Sequence, residues 1–301
     1  MIRKIDSLTN LLKEDPSQAD WYIQRAEYEI LLGKFPEAYN DGLDALIRDS
    51  TNEKTWVRFG NIAYTTGNYL RAEESYERAL RINPQSIDAL SRLAEFYLIQ
   101  KKYTESMSYA NKIIEIDDQT AKAYFVKGWI YKENGDTGKA STSFQTAVEL
   151  DPNYYDAFIQ LGELSFNAKL PVALDYFNSA LAIDPKSTEA LYFKGTFLQG
   201  RNRFDEALEV YKQISAINPN FEQAYFNSGY IKLTAENKPD SAITWFTKAI
   251  EVNPQYAEAY YNRGYCKELL GQRTQASADY KLALGIKPSY SLASEALKRV
   301  Q

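Results

Sequence analysis

Histidine is absent from this 301-residue chain, cysteine occurs once and methionine twice. Without histidine, the commonest metal ligand and neutral-pH general base is missing. The lone Cys266 excludes an intrachain disulfide and any multi-cysteine metal site, and it leaves the redox compartment open. No metal site and no cofactor are therefore expected. Also missing are an apolar run near the roughly 18 residues that span a bilayer and the apolar core of a signal peptide at the N-terminus. No run of lysine or arginine concentrates positive charge, and the net charge is −5 with a pI near 5.2. Nucleic acid is not an expected partner, because phosphate binding has no electrostatic footing here. The compartment stays open: a cytoplasmic chain and an exported or lipid-anchored chain that has lost its leader would look alike. Self-association is not legible either.

What is present is a period. Pro16, Pro84, Pro152, Pro185, Pro219, Pro254 and Pro288 fall on one lattice of 34-residue steps, with Ser50 and Asp118 at the two vacant nodes. The step shortens to 33 between Pro152 and Pro185 and lengthens to 35 between Pro219 and Pro254. Ten places after each node stands a residue never larger than alanine: Ala26, Gly60, Ala94, Gly128, Gly162, Gly195, Gly229 and Gly264. Two helices must touch there. Eight places before the closing node stands a large ring: Tyr76, Phe144, Phe177, Tyr211, Phe246 or Tyr280. Gly42 and Ala110 break that series, so looser packing is expected around them.

Aromatic, Leu-Gly, Tyr, Ala, Phe, Ala and Pro in this order resemble the tetratricopeptide repeat family, whose unit runs about 34 residues. The resemblance covers nearly the whole chain in eight copies. It implies an all-α right-handed superhelical solenoid of helix-turn-helix repeats in which each repeat touches only its neighbours. A single solenoid over residues 1–301 is expected, with an N-terminal half-repeat helix at 2–14 and a capping helix at 291–301. Repeats are expected at 19–52, 53–86, 87–120, 121–154, 155–187, 188–221, 222–256 and 257–290. The unpaired helix at the start hints that the parent chain continues upstream. Asp or Asn precedes six of the seven lattice prolines, a pairing that favours a turn.

Motifs that imitate chemistry have plainer readings. Gly135 to Ser141 (GDTGKAS) lacks the spacing of a phosphate loop and no strand precedes it, so it reads as an interhelix turn. Cys266 occupies a slot held elsewhere by Ala63, Phe96 and Ile130, which makes it a packing residue. The many acids show no shared cleft in which their pKa values would be tuned for acid-base work. The chain is not expected to be an enzyme.

The informative residues lie on the first helix of each repeat. Positions 2, 5, 9 and 12 of a repeat form one stripe at 3.6 residues per turn, and the family resemblance implies that this stripe lines the concave groove where partners bind. Position 9 reads Glu27, Asn61, Glu95, Trp129, Glu163, Thr196, Tyr230 and Tyr265. Position 5 includes Phe125, Tyr192, Phe226 and Tyr261. The stripe is acidic toward the N-terminus and aromatic toward the C-terminus, which favours a protein or peptide ligand with basic and apolar parts. Trp129, Tyr230 and Tyr265 exceed the family's habit, whereas aromatics at position 5 often serve as spacers. The acids at position 2, such as Asp20 and Glu258, are accounted for by the helix dipole. Family members that clamp a C-terminal carboxylate use lysine at position 5 and asparagine at position 9. Only Asn61 fits, beside Val57, so that clamp is absent. The expected function is a non-catalytic scaffold holding an extended peptide or helix of a partner. The alternative is a structural subunit of a larger assembly, envelope-associated in one version, that uses convex or edge surfaces.

Overall fold

A phenyl ring lying on bare backbone is the contact from which the architecture follows. A β-carbon added at Gly195 would sit 2.7 Å from Tyr211 Cε1, and one at Gly128 would sit 2.6 Å from Phe144 Cδ1. The same closeness joins Gly60 to Tyr76, Gly162 to Phe177, Gly229 to Phe246 and Gly264 to Tyr280. These six rings are buried, and hiding each contributes about 1.5–3 kcal/mol. The small-residue lattice thus marks the closest approach of two helices, as the sequence predicts.

The computed structural model describes residues 1–301; it holds 18 helices and no strand, with 78% of the chain helical. Contacts divide it into two units, Met1–Ala157 and Phe158–Gln301. In the first, α1 (Ile2–Glu14) precedes the pairs α2 (Ala19–Leu31) and α3 (Phe35–Arg48), α4 (Glu53–Thr65) and α5 (Tyr69–Ile82), α6 (Ile87–Ile99) and α7 (Tyr103–Ile116), and α8 (Ala121–Glu133) and α9 (Thr137–Leu150). The unit boundary falls within α10 (Tyr155–Asn167). The second unit continues with α11 (Ala173–Ile183), then pairs α12 (Thr188–Gly200) with α13 (Phe204–Ile217), α14 (Glu222–Thr234) with α15 (Pro239–Val252), and α16 (Ala257–Leu269) with α17 (Arg273–Ile286), and ends in α18 (Ser291–Val300). Within the first unit α2, α4, α6 and α8 also touch one another in succession, so first helices form a continuous face.

The turns repeat as regularly as the helices. Asp15, Asn83, Asp151, Asp184, Asn218 and Asn253 leave the helical region ahead of their prolines, as the proline ring requires. Each side chain then accepts the backbone N–H two residues on, at 2.9–3.1 Å. That is a run of six Asx-turns. Between the helices of a pair the backbone turns left-handed, at Gly135 (φ +77°) and Gly271 (φ +74°), and also at Lys101, Lys169, Asn202 and Asn237. Gly135 and Asp136 of the GDTGKAS stretch form such a turn, with Asp136 capping α9 through the Lys139 N–H, and the remaining five residues open α9.

Looser packing at Gly42 is not what the structure shows. Phe59 of α4 fills the space the missing ring leaves, so closely that a β-carbon at Gly42 would sit 2.6 Å from it. Ala110 is likewise fully buried, in a cluster with Ala94, Val126 and Ile130. The ring is supplied from a neighbouring helix in the first case.

Charge is buried at two places that sequence reading passed over. Arg25 reaches Asp41 through two bonds of 2.6 and 2.7 Å and Thr9 at 3.1 Å. Arg263 repeats the arrangement with Asp279 and Thr247, and Lys267 adds a second cation to Asp279 at 2.8 Å. Beside the first of these, Glu29 is 7% exposed and its Oε2 has no hydrogen-bond partner. Burial, and then the neighbouring Asp41, push its carboxyl up to about 7 against the pull of Arg25.

Two outcomes follow. Gly195→Leu must displace the buried Tyr211 ring, so it should destabilise by about 1–3 kcal/mol or more; a melting curve superimposable on that of the native chain contradicts the contact. Glu29 holds its proton more tightly folded than unfolded, so its contribution is complete below the ordinary carboxylate pKa and is lost as pH rises toward about 7. Denaturation at pH 5 and pH 8 should therefore show the native chain losing on the order of 1–3 kcal/mol more than Glu29→Gln does.

Candidate partner-binding face

The position-5 rings are engaged in packing. Phe125 lies 5.6 Å from Phe144 and 4.7 Å from Tyr154, measured between ring centroids. Phe226 lies 5.5 Å from Phe246 and 4.9 Å from Tyr256, and Tyr261 lies 5.8 Å from Tyr280 and 5.2 Å from Tyr290. Tyr192 meets Phe221 at 5.4 Å. In each set one ring, Tyr154, Phe221, Tyr256 or Tyr290, stands two residues past a lattice proline. At that same place Asn52, Ser86 and Ser187 cap α4, α6 and α12 with a side-chain hydrogen bond. Phe221, Tyr256 and Tyr290 make no such cap bond. An aromatic at the N-cap therefore exchanges a cap bond for a stack onto the preceding first helix, and both stabilise the junction. The signal is present in the sequence two residues past the node, a place that belongs to neither helical stripe.

The position-9 residues divide between the two units. In the first, Trp129 packs edge-on to Phe125 and Phe144, each at 6.4 Å, with Lys132 Nζ 4.8 Å from its ring centroid. Its open side borders a cavity of about 440 Å³ that Asn61, Glu95 and Phe125 also line. Four of the expected residues thus come together, joined by Arg92, Phe96 and Ile99, which sequence reasoning did not select. A neighbouring hollow of about 430 Å³ carries apolar surface onward through Tyr64, Tyr69, Leu70 and Ile99. Leu70 is 72% and Ile99 64% exposed. Glu27 lies outside this group.

The acidic lining does not act as a free negative field. Arg58 bonds Glu27 at 3.0 Å and also pairs with Asp20, while Lys122 holds Glu95 at 2.7 Å with Arg92 at 3.6 Å. The pull expected on a basic ligand is offset by cations at neighbouring positions of the same face.

In the second unit Tyr192 and Tyr230 share the lining of a cavity of about 400 Å³ with Thr196, Gln199, Asn202, Asn227 and Thr234. Tyr230 is 42% exposed. Tyr265 is half-buried against the cluster of Leu233, Phe246 and Cys266, and Glu163 is half-buried on α10. Cys266 is fully buried, which pushes its thiol up to about 12.

One distinction within the buried rings shapes this face. Where the second helix supplies tyrosine instead of phenylalanine, the phenol tip emerges among polar side chains: Tyr76 donates to Asn61 Oδ1 at 3.0 Å, Tyr211 to Gln199 Oε1 at 2.8 Å, and Tyr280 to Glu268. A buried phenol needs a partner, and its choice fixes the orientation of a residue on the open face. The Tyr-for-Phe alternation was the available signal.

Comparison with known proteins agrees with this geometry. Tetratricopeptide repeat patterns match residues 57–121, 121–154, 169–227 and 257–290, and a TPR repeat pattern matches 232–271. The chain belongs to the tetratricopeptide repeat family. It is similar to the general transcriptional corepressor trfA of Dictyostelium discoideum, 34% identical over 121 residues, or 40% of this chain and 9% of that protein. Over 179 residues it is 25% identical to anaphase-promoting complex subunit 3 of Schizosaccharomyces pombe, covering 59% of this chain and 27% of that subunit. The match thus spans under a third of each of these relatives. Among solved structures, the C-terminal part of a TPR repeat-containing protein from Cytophaga hutchinsonii superposes with a TM-score of 0.67 at 18% identity, over 80% of this chain and 99% of that one. That likeness is one of fold. No helix is long and apolar enough to cross a membrane.

Tyr76→Phe keeps the ring on Gly60 and removes only the bond to Asn61, so the loss of stability should be about 0.5–1.5 kcal/mol. A Tyr76→Leu control should cost more, because the ring contact goes too; equal costs in urea unfolding would show that the ring contributes nothing at that place.

Proposed function

We propose that the protein is a non-catalytic scaffold whose first-helix face holds an extended segment or helix of a partner protein. The observation that carries this is the cavity beside Trp129, where a large ring, the aliphatic Ile99 and the amide of Asn61 border one opening. Aromatic side chains bury much area at little cost in side-chain freedom, which is why they anchor interfaces. The paired state of Glu27 and Glu95 shifts the ligand class from basic toward apolar and aromatic. Relatives whose names place them in a corepressor and in a multi-subunit complex are in keeping with a binding role.

A second reading has its own observation. On α3, Leu43 is 38% and Ile47 79% exposed. At the places equivalent to Ile47 other second helices carry Arg81, Glu115 or Glu251, and at those equivalent to Leu43 they carry Glu77 or Lys281. A large apolar pair where the other second helices carry charged, polar or small residues suits docking by the outer helix into a larger assembly.

Panning a random 12-residue peptide display library on the intact chain separates the two. Selected peptides should carry an apolar or aromatic anchor, and Trp129→Ala should weaken them by at least about tenfold, near 2 kcal/mol, while Ile47→Asp leaves them unchanged. Binding that survives Trp129→Ala together with Tyr230→Ala and is lost in Ile47→Asp overturns the groove and favours the outer helix.

A further inference from the structure

The cavity in the second unit differs in kind from the one beside Trp129. No Asp, Glu, Lys or Arg lines it. Two of its lining amides, on different helices, are tied together by one buried phenol, Tyr211, which is fully enclosed. Its hydroxyl lies 2.8 Å from Gln199 Oε1 on α12, and Asn227 Nδ2 on α14 lies 3.2 Å from the phenol oxygen. A phenol gives one hydrogen and accepts another, so it takes one lone pair of the Gln199 carbonyl and one hydrogen of the Asn227 amino group. Both residues line the cavity, and the phenol leaves unused the amino group of one and the carbonyl of the other. This remainder is the same whichever way round the two amides are placed.

A donor and an acceptor held side by side complement a group that offers both. A carboxylate only accepts, an ammonium only donates, and an aliphatic side chain would leave both amides unpaired at a cost. Resting on the partner-binding reading above, we propose that this cavity receives the uncharged side-chain amide of an asparagine or glutamine in the partner segment. Tyr211 is a positioning residue: it touches no ligand and sets the polarity that Gln199 and Asn227 present. The ring of Tyr230, exposed at the rim, covers the aliphatic stem of the guest. The Phe occupants of the equivalent slot, Phe144, Phe177 and Phe246, have no hydroxyl with which to set such a pair.

The test uses the intact chain, isotope-labelled, with the side-chain amide resonances of Gln199 and Asn227 as reporters. The probes are N-acetylglutamine N-methylamide, its glutamate and methionine counterparts, and maltotriose as a neutral polyhydroxyl. The glutamine probe should shift both reporters at concentrations about tenfold lower than the glutamate or methionine probe needs, since a site built for hydrogen bonding rejects analogues that leave it unpaired. Tyr211→Phe, whose ring has precedent at this slot, should abolish the preference while the chain melts cooperatively. Gln199→Leu, which leaves the buried ring in place, should abolish it as well. Equal response to glutamine and glutamate, a preference retained in both variants, or a stronger response to maltotriose overturns the proposal. Should display-selected peptides still depend on Tyr230 while the glutamine probe leaves the reporters unmoved, the amide assignment falls and partner binding stands. Should neither probe nor peptide engage the first-helix face, both fall.

Discussion

Closure of a helical hairpin by an aromatic ring resting on backbone is the constraint that the remaining features depend on. A ring can lie that close only where the opposing helix offers no side chain, so the first helix carries glycine under each of the six rings, and where it carries Ala26 or Ala94 the facing slot holds Gly42 or Ala110 instead of a ring. Glycine within a helix costs roughly 1 kcal/mol relative to alanine, and burial of the ring offsets it. With the ring in that slot, its edge reaches the opposite side of the first helix. There the choice between phenylalanine and tyrosine stops being a packing detail and becomes a choice about polarity on the open face.

That coupling between core and surface runs through the site. Tyr76, Tyr211 and Tyr280 each place a hydroxyl beneath a polar side chain, whereas Phe144 lies against Trp129 and supports a purely aromatic edge. The cavity beside Trp129 sets aromatic and aliphatic surface beside Arg92, Glu95 and the Tyr76–Asn61 pair, and the one bordered by Gln199 and Asn227 joins amides and hydroxyls to the rings of Tyr192, Phe204 and Tyr230 with no charged side chain. The same architecture thus yields two chemically distinct surfaces in its two units with no change of backbone plan. Fixed donors and acceptors on rigid helices are pre-organised, which lowers the ordering cost of the binding proposed for them.

Much of this was legible in the sequence, for physical reasons. A ring on a glycine leaves a regular trace because any larger residue would collide, and Asx-Pro pairs leave one because proline and its predecessor have few conformations. The helices, the turns and the burial of Cys266 followed from those traces. Side-chain charge left no such trace. Glu27 and Glu95 read as acids on an open face, and only the structure shows Arg58 and Lys122 reaching them from the next first helix. Gly42 read as a gap because its neighbour Phe59 sits in the following pair, where the period gives no hint of it. The rings at Tyr154, Phe221, Tyr256 and Tyr290 were missed because they lie outside the amphipathic pattern. Trp129 and Tyr230 are large and partly open, yet their surroundings depend on second-helix residues such as Phe144 and Tyr211 that lie outside the first-helix stripe.

The most direct test of ring-on-backbone closure is a double-mutant cycle on Gly195 and Tyr211, with stability measured for Gly195→Ala, Tyr211→Leu and the pair. If the ring occupies the space above Gly195, the added methyl should be costly with tyrosine present and nearly harmless once the ring is gone, giving a coupling of about 1 kcal/mol or more. Strict additivity of the two changes would contradict the account.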